Sequence, residues 1–238
     1  MTPFLVRGML IGILAGVLAF GFAKVFAEPK IDQAIAFEEQ MDKAKGEDPG
    51  PDLVSRKLQS TFGLLTAVIV YGTAIGGLFA LANAAAYGRV SSRPRVTALL
   101  LAGAGFLALY LIPSLKYPAN PPSVGQPATI GFRTETYFLM ILLSGLTLAL
   151  AVWVRQALVP RFGRWNATLL AGGFFIAVVS AAILILPDIN EVPESFSAVL
   201  LWHFRLASLG TQLILWTTLG LLFGALTERQ LQRDLEEA

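Results

Sequence analysis

The sequence predicts an all-α integral membrane protein that crosses the bilayer six times. Hydrophobic residues make up 55% of its 238 residues and charged residues only 14%, whereas a typical soluble domain carries about 25% charge. The mean hydropathy is +0.65. Apolar residues form continuous runs and do not alternate with polar ones, which favours helices over strands. This composition excludes a soluble globular protein and a disordered one.

Six runs are long enough and apolar enough for a helix that crosses the hydrocarbon core, which takes roughly 20 residues. They cover about residues 4–26, 62–86, 96–115, 137–154, 167–186 and 206–226. We predict that they form a single membrane domain over residues 1–238. The first run also resembles a secretory signal peptide that would be cleaved after Ala27. Its length, and Lys24 just before that position, favour a membrane span instead.

The connections between the predicted spans alternate in charge. The second and fourth are short and basic, and hold Arg89, Arg93, Arg95, Arg155, Arg161 and Arg164. Short basic loops stay in the cytoplasm. Both termini are therefore predicted to be cytoplasmic, which an even number of spans requires, and the three long connections are predicted to lie outside.

The first outer connection opens with a predicted amphipathic surface helix over about residues 28–45, with Pro29 in its first turn. A flexible linker, 46–52, follows it. Acidic side chains of this helix and the only histidine, just before the sixth span, are candidate metal ligands: His203, Glu28, Asp32, Glu38 and Glu39. The alternative is a solvated acidic face and a histidine that only forms hydrogen bonds at the interface.

Other polar residues lie near the ends of the predicted spans. Four of them could form an ionic cluster around an outer vestibule, or could each reach the interface separately: Lys24, Lys116, Glu135 and Arg205. Three prolines between residues 117 and 125 predict a rigid, extended loop. Asn83 and Asn166 are predicted to be helix-end residues on the inner side.

Small residues recur at every fourth position in three spans, as expected where helices pack closely in lipid. The glycines are Gly8, Gly12, Gly16, Gly72, Gly76, Gly220 and Gly224. They could pack helices within one subunit, or they could form an interface with a second copy or with a larger membrane complex. The sequence leaves both open.

Three stretches together resemble the CbtA family of bacterial cobalt transporter subunits. They are Arg7–Gly12 leading into Glu28–Glu38, the loop Tyr117–Gly125, and Leu200–Leu209. The resemblance implies cobalt uptake for cobalamin synthesis through the bacterial cytoplasmic (inner) membrane. It also implies a small one-span partner, CbtB, whose histidine-rich tail would supply nitrogen ligands that this chain lacks.

The leading hypothesis is a membrane subunit that takes up a divalent transition-metal ion, Co²⁺, as its transported ion and carries no cofactor. The sequence has no Walker, His-Glu-x-x-His or Gly-x-Ser-x-Gly motif, so we predict neither ATP hydrolysis nor another enzymatic activity, and no nucleic-acid partner. The alternative hypothesis is a non-transporting scaffold that binds a larger membrane complex through its glycine stripes.

Overall fold

Helices make up all the regular structure of the described residues. The computed structural model describes residues 2–46, 54–122 and 124–236, and no strand occurs among them. The helices are α1 (Thr2–Phe26), α2 (Glu28–Lys45), α3 (Arg56–Leu58), α4 (Leu64–Ala86), α5 (Pro94–Phe106), α6 (Ile112–Lys116), α7 (Ile130–Ile185) and α8 (Ala198–Glu236). The all-α prediction is confirmed. The predicted linker, apart from Gly46, lies outside the described residues.

Among the described residues, five helical stretches are long enough and apolar enough to span a membrane. They cover Phe4–Phe26, Arg56–Ala86, Pro94–Lys116, Pro127–Ile185 and Ala198–Glu236. Large apolar side chains such as Leu10, Leu78 and Leu142 are more than half exposed on them. Such a surface is unusual in water but is readily solvated by lipid tails. These properties are those of a membrane protein.

The described chain forms two compact units. The first consists of residues within Met1–Phe106, Asn120–Ser123 and Glu194–Ala238, and the second of Leu107–Ala119 and Val124–Pro193. The first unit contains α1 to α5 and α8, whereas the second contains α6 and α7. The single membrane domain over residues 1–238 stays a prediction.

In the first unit, α1 packs on α4 along a seam of glycines. The seam consists of Gly8, Gly12, Gly16, Gly72 and Gly76. A methyl group on Gly12 would overlap the carbonyl oxygen of Gly72, and one on Gly76 would overlap that of Gly8. The two backbones are therefore in direct contact, and a side chain at these positions would force the helices apart.

A second close approach joins α8 to α5. A β-carbon on Gly220 would lie 2.8 Å from the Ala102 side chain, and one on Gly224 would lie 2.9 Å from the Cα atom of Arg95. All seven glycines that the sequence singled out thus face another helix of the same unit. The centre of this unit is Phe223, which is fully buried.

The longest helix, α7, reverses its direction at Gly163. This residue has non-helical backbone angles, φ 73° and ψ 167°. The Nε atom of Arg155 donates a hydrogen bond of 2.8 Å to the Thr168 hydroxyl, 13 residues further along the chain. A straight helix would separate these residues by about 20 Å along its axis. Met140 and Val179 share one apolar cluster, so the two halves of α7 lie against each other as a hairpin.

In the part of the chain that the structure describes, two π-helical turns interrupt the helices, at Gln59–Gly63 before α4 and at Leu107–Leu111 before α6. A π-turn changes the backbone hydrogen-bond register and often occurs at functional sites. In each turn the second carbonyl oxygen accepts a bond from another helix. Lys24 donates to Ser60, and the Ser144 hydroxyl donates to Ala108.

Candidate functional site

Glu28, the first of the carboxylates predicted to bind a metal, lies where α1 meets α2. Only Ala27 separates these helices, and its carbonyl oxygen accepts bonds from the N–H groups of Lys30 and Ile31 at 2.9 and 3.1 Å. Pro29 follows in the first turn, where its missing N–H costs nothing. Glu28 and Asp32 are four residues apart, so that both side chains lie on one face of α2.

Glu28 and Asp32 converge on a positive charge, the guanidinium group of Arg56. Its Nη2 atom pairs with the Glu28 carboxylate, and its Nε atom donates to Asp32 at 2.9 Å. The Glu28 side chain is only 6% exposed, whereas that of Asp32 is 59% exposed. Because burial of an unpaired carboxylate is costly, Arg56 is the group that allows Glu28 to lie inside the protein.

A second basic residue ties α1 to the same region. The Nζ atom of Lys24 donates to both the carbonyl oxygen and the hydroxyl of Ser60, each at 2.9 Å. Lys24 is partly buried and uses these oxygens in place of water. Lys24 and Arg56 thus form two polar connections that hold the α1–α2 junction against α3 and the π-turn before α4. We call Lys24, Glu28, Asp32, Arg56 and Ser60 the junction cluster.

The remaining candidate ligands lie further along α2 and on α8. Glu38 and Glu39 are exposed, and so is His203. The ring of Phe37 packs edge-on against Phe196, with 5.1 Å between the centroids, which brings this part of α2 against the residues that enter α8. In the described part of the chain, no group of three or more His, Cys, Asp or Glu side chains could hold a metal ion. The metal-ligand role of these residues stays a prediction.

The proline-rich loop contacts α8 at Arg205. The Nη2 atom of Arg205 donates to Asn120 Oδ1 at 3.0 Å. This bond holds the loop residue Asn120 against α8 at Arg205, which is two residues after His203. Among the four predicted vestibule charges, Lys24 and Arg205 belong to the first unit. Both form hydrogen bonds there, to Ser60 and Asn120.

The other two predicted vestibule charges lie in the second unit. Lys116 pairs with Asp188, and its side chain is only 6% exposed. Glu135 is exposed. The hydroxyl of Tyr117 donates to the carbonyl oxygen of Pro187 at 3.0 Å. These contacts join the end of α6 to the chain that follows α7. The outer vestibule itself stays a prediction.

A carboxylate in the same unit organises the loop before α7. Hydrogen bonds from the Thr129 hydroxyl and the Gln126 N–H, together with the nearby Arg133 guanidinium, lower the pKa of Glu191 from its ordinary value. The Gln126 bond measures 2.8 Å, and Arg133 Nε lies 3.4 Å from the carboxylate. Gly125 begins this turn with φ 116°. Glu191 therefore stabilises the loop as an anion.

Sequence reasoning missed two features of the first unit. The first is the pairing of Arg56, one of several basic residues in the first connection, with Glu28 and Asp32. The sequence signal for this pairing was the helical spacing of Glu28 and Asp32, which places two carboxylates on one face. Asn83 was predicted to be a helix-end residue. It lies in the last turn of α4, but it is only 1% exposed, whereas Asn166 is exposed.

Comparison with known families identifies the chain. A family model described as "Probable cobalt transporter subunit (CbtA)" matches residues 1–228. The chain belongs to the CbtA family. The match includes all three stretches on which the resemblance was based, and it includes the junction cluster. No curated protein and no solved structure matches this CbtA-family chain.

Proposed function

We propose that this CbtA-family chain is the membrane subunit of a system that takes up a divalent transition-metal cation, cobalt, through the bacterial cytoplasmic membrane. The match over residues 1–228 to a family of cobalt transporter subunits is the observation that carries the proposal. The membrane potential, negative inside, favours entry of a divalent cation.

We infer six spans with both termini in the cytoplasm. The reversal at Gly163 supports this count, because it divides α7 into segments 130–162 and 164–185, each long enough to cross the hydrocarbon core. Arg155, Arg161 and Arg164 lie at this reversal, where the positive-inside rule favours the cytoplasm. The junction cluster and the start of α8 then lie on the outer side.

On this topology, the exposed carboxylates of α2 attract the cation from outside. Glu38 and Glu39 are exposed, whereas Glu28 is buried and both Glu28 and Asp32 are paired with Arg56. Glu38, Glu39 and His203 are therefore the candidate ligands that are exposed and not engaged by Arg56. Carboxylate oxygens alone favour hard cations, so selection of cobalt calls for more nitrogen ligands. A partner subunit rich in histidine, as the family resemblance implies, would supply them.

The site proposal is tested by cobalt uptake into cells that express the chain together with its partner subunit. Replacement of Glu38 and Glu39 by glutamine should lower the initial rate at limiting cobalt, and His203→Ala should lower it further. Lys43→Gln, on the same exposed helix, is the matched control and should not lower uptake. If the glutamine and alanine variants take up cobalt at the normal rate, these residues are not ligands.

The structure gives the scaffold alternative less support than the sequence pattern does. It depended on glycine stripes that were free to bind a partner, and these glycines instead face helices of the same unit. Closure of the α1–α4 seam leaves no space at Gly12 or Gly72 for a third helix. We therefore do not propose a scaffold role.

A further inference from the structure

A cavity of about 390 Å³ lies within the first unit, at the end of the helices opposite to the junction cluster. It is an open cavity lined by the start of α1, the end of α4, the start of α5 and the last turns of α8. Most of its lining is apolar, and includes Phe4, Leu5, Leu81 and Leu231. Its volume is that of a small-molecule site with a few polar groups in a mainly apolar wall.

Among the described residues, the buried Asn83 side chain and the buried Thr227 hydroxyl in this cavity have no hydrogen-bond partner. Asn83 is 1% exposed, and neither its Nδ2 nor its Oδ1 atom has a hydrogen-bond partner among the described residues. The buried hydroxyl of Thr227 is also without one there. Buried polar groups are normally satisfied, because an unpaired one loses its bonds to water and gains none in return. A ligand that carries both an acceptor and a donor would satisfy the Nδ2 and Oδ1 atoms of Asn83.

Charged groups of both signs line the same cavity. Arg7 donates to Gln230 and has further N–H donors, since a guanidinium group carries five. Asp234 lies on the α8 side, about 10 Å along the helix from Thr227. The positive charge of Arg7 and the negative charge of Asp234 in the same cavity are complementary to a zwitterionic ligand.

We propose that this cavity binds a phospholipid with a zwitterionic headgroup and a primary ammonium group, as in phosphatidylethanolamine. Arg7 and the Asn83 Nδ2 atom bind the phosphate, and Thr227 donates its hydroxyl proton to a phosphate oxygen. Asp234 and Asn83 Oδ1 accept hydrogen bonds from the ammonium group. The apolar residues contact the acyl chains. A fully polar ligand would leave that apolar wall without contacts.

The ammonium group makes the proposal specific. Phosphatidylcholine has the same phosphate and the same net charge, but its quaternary ammonium carries no hydrogen-bond donor. The full-length chain, purified in mild detergent, should therefore retain phosphatidylethanolamine about tenfold better than phosphatidylcholine with identical acyl chains, as expected for the loss of one or two hydrogen bonds to charged groups. Native mass spectrometry of the competition measures this ratio directly.

Variants separate the groups that bind. Asn83→Leu and Asp234→Asn should each lower the ratio several-fold, whereas Arg7→Gln should weaken retention of both lipids equally. Trp216→Phe is the matched control. It removes another buried, unpaired polar atom but does not line the cavity, so the ratio should not change.

Folding does not confound the test, because removal of an unpaired amide should leave Asn83→Leu at least as stable as the original chain. Thr227→Val, expected to lower retention of both lipids, is a second variant if Asn83→Leu does not fold.

Equal retention of the two lipids by the original chain would overturn the proposal. So would preferential binding of phosphatidylglycerol, or an unchanged ratio in Asn83→Leu. The assay does not involve cobalt, so its failure would leave the uptake function unaffected.

Discussion

Arg56 in α3 pairs with Glu28, the first residue of α2, and the Glu28 side chain is almost completely buried. This pair links α2 to α3, which precedes α4 in the chain. It also removes one of the candidate metal ligands from the accessible surface. The cation that Glu28 meets in the folded chain is thus a guanidinium group.

Loss of Arg56 should destabilise the protein strongly. Arg56→Met leaves the buried Glu28 carboxylate without a counter-charge, which should cost about 3 kcal/mol. The unfolding temperature of the purified protein in detergent should fall accordingly, and Glu28→Gln in the same chain should restore most of it. Glu39→Gln, at an exposed carboxylate, is the control. An unfolding temperature for Arg56→Met equal to that of the control would show that the pair contributes nothing.

The glycine seam makes a steric prediction. Gly12→Ala places a methyl group against the carbonyl oxygen of Gly72, so α1 and α4 must separate, at a cost of about 3 kcal/mol. Gly21→Ala lies on the same helix with no atom within 4 Å of the added β-carbon. It should be neutral or slightly stabilising, because alanine favours a helix. Thermal unfolding compares the two, and equal stability would contradict the seam.

The sequence predicted the seam better than the junction cluster. Glycines four residues apart share one helix face, so a close approach at Gly8, Gly12 and Gly16 could be foreseen. Their partner could not, because the same face fits a helix of this subunit or of another. For Glu28 and Asp32, periodicity placed both on one face. The position of Arg56 depends on how α3 packs against α2, which local sequence does not determine.

Asn83 is a second residue whose position along a helix could be predicted but whose surroundings could not. Counting residues places it correctly near the end of α4, but its burial depends on how α4 packs against other helices, which local sequence does not determine. The reversal within α7 was anticipated as a basic loop between two spans. Its shortness, with a single non-helical residue at Gly163, was not.

Membrane topology can be tested cleanly because the chain has no cysteine. A single cysteine at Arg161 should react with an impermeant maleimide only from the cytoplasmic side. Cysteines at Glu135 and Ser195 should react only from outside. All three positions are exposed. Labelling of 161 and 195 from the same side would rule out a hairpin with both halves of α7 across the bilayer.

Acid should loosen the loop that Glu191 organises. The pKa of this carboxyl lies below its ordinary value of about 4.5 in the folded chain, so its stabilising effect is complete above that pH. The effect is lost as the pH falls through the folded pKa. Amide hydrogen exchange of Gln126, corrected for intrinsic rates, should speed up at acid pH. In Glu191→Gln it should be fast already at neutral pH, and an acid dependence that persists in this variant would show that another group is responsible.

Uptake of radiolabelled cobalt tests the central claim most directly. Cells that express this chain with its partner subunit should accumulate cobalt faster than matched cells that express the partner alone. The difference should disappear when the membrane potential is collapsed, since the potential favours cation entry. Equal accumulation with and without the chain, with both proteins present in the membrane, would contradict a role in cobalt uptake.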